Sequence, residues 1–117
     1  MGYELFVTAA NETSALHDPT AHAEVMAIRK LGSLIQRADL SGYTLYTTCE
    51  PCPMCASAVI WSGIRTVFFG CNIPQISNKM DQISLRSDEL NRYSFRDVTW
   101  HGSVMLPECL ELLTRYS

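Results

Sequence analysis

The chain has 117 residues, 47% hydrophobic and 18% charged, with a formal net charge of −3. This fits one compact domain able to bury a core, and no run of about 18 apolar residues offers a membrane-spanning helix. Glu4 interrupts the N-terminal apolar stretch and no basic segment precedes it, so no signal peptide is read there and a cytoplasmic protein is expected.

In chain order, Tyr3 to Ala10 reads as a strand on Leu5, Phe6 and Val7, and Asn11 to Thr20 as a loop with a turn at Asp18-Pro19. Thr20 is placed to cap a helix from Ala21 to about Gln36, in which Val25, Ile28, Leu31 and Ile35 recur at helical spacing. Ser41-Gly42 is a turn, and Tyr43 to Thr48 is rich in β-branched and aromatic residues, as strands are. Pro53 opens a second helix that Gly63 ends near Ser62. Thr66 to Gly70 is a short apolar strand, residues 71–94 read as irregular, and a weak strand spans Val98 to Val104. Pro107 to Tyr116 reads as a final helix with Leu110 and Leu113 on its inner face. Strands alternating with helices give an α/β domain with parallel pairings across the crossovers.

Five cysteines are present, and three of them, Cys49, Cys52 and Cys55, fall within seven residues. An odd, clustered set is a poor disulfide framework and points to metal or catalysis; the solitary Cys71 and Cys109 read as buried apolar residues. The nine Lys and Arg residues are scattered along the sequence. This disfavours a polynucleotide partner while leaving a local basic patch open.

Zinc takes Cys and His ligands, four in a structural site and three plus water in a catalytic one. Cys52 and Cys55, three apart at a helix start, can face one point where free N–H groups and the helix dipole favour thiolate. His22 stands at the start of the other helix. Glu24 is two residues from His22, so both reach one site only if the metal lies off the helix end, toward which side chains lean. Singly, His22 and Glu24 read as ordinary helix residues, and Cys52 with Cys55 as a structural zinc half-site or redox pair. His-x-Glu followed about thirty residues on by Pro-Cys-x-x-Cys is a far more specific combination.

The strings Asp18-Pro19-Thr20-Ala21-His22-Ala23-Glu24 and Thr48-Cys49-Glu50-Pro51-Cys52-Pro53-Met54-Cys55-Ala56 resemble the cytidine deaminase-like superfamily, in particular its guanine deaminase and tRNA-adenosine deaminase branch. The resemblance implies a three-layer α/β/α fold with a central mixed sheet and one Zn2+ per chain. His22, Cys52 and Cys55 would hold the metal, and Glu24 would shuttle protons for a zinc-bound hydroxide that attacks the amine-bearing carbon. Asn11 matches an asparagine that contacts the base or ribose, though it equally reads as a turn residue. Ala23 and Pro51 would line the pocket, and Cys49 matches a non-ligand. Asp81 could replace a loop acid that assists guanine deaminases, against a simpler reading as a solvated charge.

Family members usually begin with a helix and two strands before the His-x-Glu helix, whereas one strand fits between Met1 and Asn11. An uncovered sheet edge is expected, either in a fragment or in a homo-oligomer, such as a dimer, that covers it. The favoured function is zinc-dependent deamination of a free nucleobase or nucleoside, guanine first. The alternatives are a tRNA adenosine deaminase and a non-catalytic structural or redox metal module.

Overall fold

The computed structural model describes residues 6–116. Two segments dense in β-branched and aromatic residues, β1 (Thr44–Cys49) and β2 (Thr66–Cys71), pair in parallel with Thr44 opposite Thr66 and Cys49 opposite Cys71. A parallel pair needs a crossover, and the helix between them, Pro53–Ser62, supplies it. Thr99–His101 (β3) adds a third parallel strand beside Thr66 to Phe68, in the order β1-β2-β3. The helices are α1 (Ala23–Ile35), α2 (Pro53–Ser62), α3 (Ile73–Ser77), α4 (Ser87–Asn91) and α5 (Leu106–Tyr116).

Strand alternation divides the packing. Leu45 and Val67 point to one face, where they meet Leu31 of α1, Val59 and Ile60 of α2, and Leu40, Ile64 and Val98. On the other face α5 lies so close to β2 that a Cβ on Gly70 would meet Cys109. Helices on both faces make the expected three-layer α/β/α arrangement. The expected sheet was mixed, whereas the described strands are all parallel. On the α5 side the rings of Tyr46, Phe68 and His101 stack across the three strands, 5.1 and 4.7 Å apart, and Tyr46 remains 71% exposed.

Several boundaries differ from the expectation. Residues 6–10 belong to no strand; β1 is an edge strand among the described residues, and a strand needs a neighbour to hydrogen-bond. The rest of the Tyr3 to Ala10 reading lies outside the described residues. α1 begins at Ala23, with His22 as its N-cap, because the Thr20 hydroxyl donates instead to Asp18 Oδ1 at 2.6 Å. Only Leu31 of its apolar stripe is fully buried, while Ile28 and Ile35 pack at the core margin. Residues 71–94, expected to be irregular, contain α3 and α4. α3 is nucleated by a reciprocal Asn72–Gln75 capping box and is too short to show a hydrophobic period. β3 is shorter than the expected strand over Val98 to Val104. Among the described side chains of α5, Cys109 and Leu113, four apart, are buried, and Leu110 is turned outward at 36% exposure. Cys71 and Cys109 are free and buried in a second cluster with Ile76 and Leu113. No described helix is long and apolar enough to cross a membrane.

Candidate metal centre and active site

The N-termini of α1 and α2 converge. His22 caps α1 and Cys52 caps α2, both with extended backbone and neither with a side-chain capping bond, so ring and thiol are left to face each other. Cys55 lies in the first turn of α2 and is buried. His22 Nδ1 stands 3.7 Å from Cys52 Sγ and 3.6 Å from Cys55 Sγ. Zinc bonds of about 2.05 Å to nitrogen and 2.3 Å to sulfur at a tetrahedral angle hold those atoms about 3.6 Å apart. The three ligand atoms lie within 4.8 Å of one another, and no other such group of His, Cys, Asp or Glu occurs among the described residues. Size, ligand chemistry and spacing therefore fit a zinc ion, and a set of three leaves the fourth position to water or substrate.

The pKa of the Cys52 thiol is lowered to about 5, chiefly by its neighbour Cys55, and further by His22 and by the nearby N–H dipoles of Cys55 and Met54 at the start of α2, without a capping bond of hydrogen-bond geometry. Cys55, the partner that retains the proton, is pushed up by the Cys52 hydrogen bond and by burial. Burial raises the Glu24 carboxyl, against hydrogen bonding with Cys55 that lowers it. Glu24 is the second residue of α1, two after His22, and it holds a proton more readily than a solvated carboxyl does. Burial also raises Cys49, to about 11, in keeping with a thiol outside the ligand set.

Ala23 and Glu24 line a cavity of about 910 Å³ together with other residues of α1, with β1 and with residues 6–9, whereas His22, Cys52 and Cys55 do not line it. Pro51 is fully buried directly before the Cys52 cap. Asn11 is exposed, and its Oδ1 accepts from the Thr13 N–H and hydroxyl at 3.0 and 2.9 Å, which is the turn role. Asp81 is exposed and does not line the cavity beside Glu24.

The sequence reading passed over Glu50. Its enclosed carboxylate accepts bonds from Ile73, Arg86 and Ser87. Its only local signal is a charge set between two cysteines at a strand end; the donors lie 23 to 37 residues away.

Against known proteins, residues 2–71 match the family model of the cytidine and deoxycytidylate deaminase zinc-binding region. A guanine deaminase of Bacillus subtilis is 48% identical over 59 residues, 50% of this chain and 38% of that protein. A tRNA-specific adenosine deaminase of Buchnera aphidicola is 34% identical over 106 residues, 91% of this chain and 64% of that protein. The chain thus spans less than two thirds of the length of these curated relatives. Among solved structures, a guanine deaminase from Nitrosomonas europaea superposes with a TM-score of 0.82 at 24% identity, over 92% of this chain and 63% of its own. That likeness concerns the fold. A tRNA:A34 deaminase superposes with a TM-score of 0.77 at 27% identity, over 91% and 76%. With the family signature matched over more than half its length and its three ligand atoms at zinc spacing, the chain belongs to the cytidine and deoxycytidylate deaminase zinc-binding family.

Proposed function

We propose that this chain is a zinc-dependent hydrolytic deaminase acting on a free nucleobase or nucleoside, with guanine the favoured substrate and one zinc ion per chain. The observation that carries the reading is the triangle of His22 Nδ1, Cys52 Sγ and Cys55 Sγ, with the Glu24 carboxyl beside Cys55 and its affinity for a proton raised by burial. Three ligands suit catalysis, four a structural site.

Bound there, zinc supplies a water acidic enough to act as a nucleophile near neutral pH. The chain's own residues do the rest. Glu24 takes the proton that water releases, delivers one to the ring nitrogen beside the attacked carbon, and passes one to the departing amine. A carbon–oxygen bond forms, the carbon–nitrogen bond breaks, and ammonia leaves while the ring keeps the oxygen. The raised affinity of Glu24 for a proton suits a group that must be base and acid in turn. Ala23 contributes wall beside it. Asn11 is a candidate donor to the base or ribose through its amide nitrogen, its oxygen being committed to Thr13. Pro51 acts from behind Cys52, and Asp81 is the weakest of the proposed substrate contacts. The acidic net charge favours a small substrate over a polynucleotide. A cytoplasmic homodimer is part of the same reading: β1, an edge strand among the described residues, and the exposed Tyr46 offer surface for a second copy.

The second reading is a tRNA adenosine deaminase, favoured by the alignment with such an enzyme over 91% of this chain. Ammonia release from guanine, cytosine, adenine and their nucleosides, alongside inosine formation in an anticodon stem-loop, separates the two. Turnover of guanine supports the first. Turnover of the stem-loop alone, with strong salt dependence, replaces it by the second, and no turnover of any substrate by zinc-loaded protein leaves the metal-module reading.

A further inference from the structure

We propose that Glu50 is a positioning residue for the zinc ligand Cys52, an assignment that rests on the metal reading above. The Glu50 side chain is 0% exposed. Oε1 accepts from the Ile73 N–H at 2.9 Å and from Arg86 Nε at 3.1 Å. Oε2 accepts from the Ser87 N–H at 2.9 Å and from the Ser87 hydroxyl at 2.6 Å. The Glu50 N–H donates to the Cys71 carbonyl at 2.7 Å. One residue thus fastens the end of β1 to the end of β2 and to the first residues of α3 and α4.

Between this anchor and the metal ligand stands only Pro51, which is fully buried and whose ring fixes one of the few torsions left. Cys52 then takes φ −63° and ψ 168°, which brings its thiol to His22. No capping bond holds the Cys52 side chain, so its direction is inherited from the backbone before it. Cys55 is different: it lies inside α2, whose core residues Val59 and Ile60 hold the helix independently. Loosening Glu50 therefore displaces one ligand of three and leaves the rest of the core in place. A buried carboxylate is costly without donors. Here all four of its bonds go to groups that come from beyond the zinc motif in sequence.

The test is the rate at which a chromogenic chelator strips zinc from the loaded chain, with the visible spectrum of the Co2+-loaded protein as a second readout. Glu50→Gln keeps the shape but turns an amide N–H2 toward donors. Roughly 10- to 100-fold faster zinc release and shifted cobalt bands are expected, the scale of lost support around a metal ligand. Ser87→Ala, which removes one bond of the four, gives a smaller change in the same direction. Val98→Ala, a core truncation beside β3, lowers Tm but leaves release within about twofold. Release that follows Tm alike in Glu50→Gln and Val98→Ala, with unshifted cobalt bands, overturns the assignment. Should Glu50→Gln fail to fold, Ser87→Ala against Val98→Ala decides. An unaltered chain that takes up no zinc overturns the metal reading and this assignment together, whereas one that binds zinc with indistinguishable variants overturns this assignment alone.

Discussion

His22 Nδ1 stands 3.6 Å from Cys55 Sγ although 33 residues separate them in sequence. The two belong to the starts of different helices, so an ion shared between them ties α1 to α2 through the native state only. Such a ligand stabilises by about 2.7 kcal/mol when free zinc is 100-fold above Kd. For a domain of this size that is roughly 10 °C in Tm. Chelation is therefore expected to lower Tm of the zinc-loaded chain by about that amount, read by differential scanning calorimetry. His22→Ala should melt at the same temperature with and without chelator; an undiminished chelator effect in that variant would remove His22 from the ligand set.

Glu24 lies beside the ligand cluster, where Cys55 bears on its carboxyl, without being part of the three-ligand group. Removing it should spare the metal and remove the proton path. Glu24→Ala is expected to keep one zinc per chain and the far-UV circular dichroism spectrum, while turnover of the active substrate falls by roughly 10²–10⁴. Zinc content by atomic absorption beside ammonia release checks this. Full activity with full zinc would assign proton transfer to another group.

The parts legible in the sequence are those with local causes. Cys52 and Cys55 stand at a helix start marked by Pro53 and by the end of β1, and His22 follows the Asp18-Pro19 turn, so short-range signals placed each of them at a helix start. α2 was readable at both ends from Pro53 and Gly63, the latter left-handed at φ 90°. Features that depend on distant partners were not. Glu50 turns inward because donors 23 and 37 residues away meet it. Thr20 carries a capping residue's chemistry but serves Asp18, which leaves His22 at the cap. α3 and α4 have five residues each, less than two turns, and owe their starts to a capping box and to the Glu50 carboxylate. Leu110 and Cys109 are adjacent, and only the fit against β2 decides which of them faces in.

The loop that delivers His22 carries a pH signature. The Thr20 hydroxyl and N–H both donate to Asp18 Oδ1, at 2.6 and 2.8 Å, and hold its carboxyl below the usual range, with a lesser contribution from Arg29. A depressed carboxyl stabilises the fold above its unfolded value, and that contribution is lost as pH falls through the folded one. NMR titration of Asp18 should find a midpoint below the ordinary carboxylate value. In Thr20→Ala, which loses the hydroxyl but keeps the N–H, the midpoint should rise partway back. An unchanged midpoint would mean that the Thr20 N–H and Arg29, not the Thr20 hydroxyl, set it.

Gly70 is where β2 and α5 come closest. A Cβ there would fall against Cys109, 2.6 Å from its Cβ, and 2.8 Å from the Thr48 carbonyl oxygen. Two of these neighbours are a buried side chain and a strand backbone, neither free to yield, so Gly70→Ala must separate the helix from the sheet. Overpacking of this kind costs about 1–3 kcal/mol, to be read as a lower urea midpoint with unchanged slope. Cys109→Ala removes the sulfur but not the Cβ. The double variant should therefore regain part of the loss, a favourable coupling of the size found for residues in contact, about 0.5–3 kcal/mol. Strictly additive effects would mean that the Thr48 carbonyl, rather than α5, sets the limit. The zinc content of both variants should stay at one per chain, because His22, Cys52 and Cys55 are held by α1 and α2 on the opposite face of the sheet.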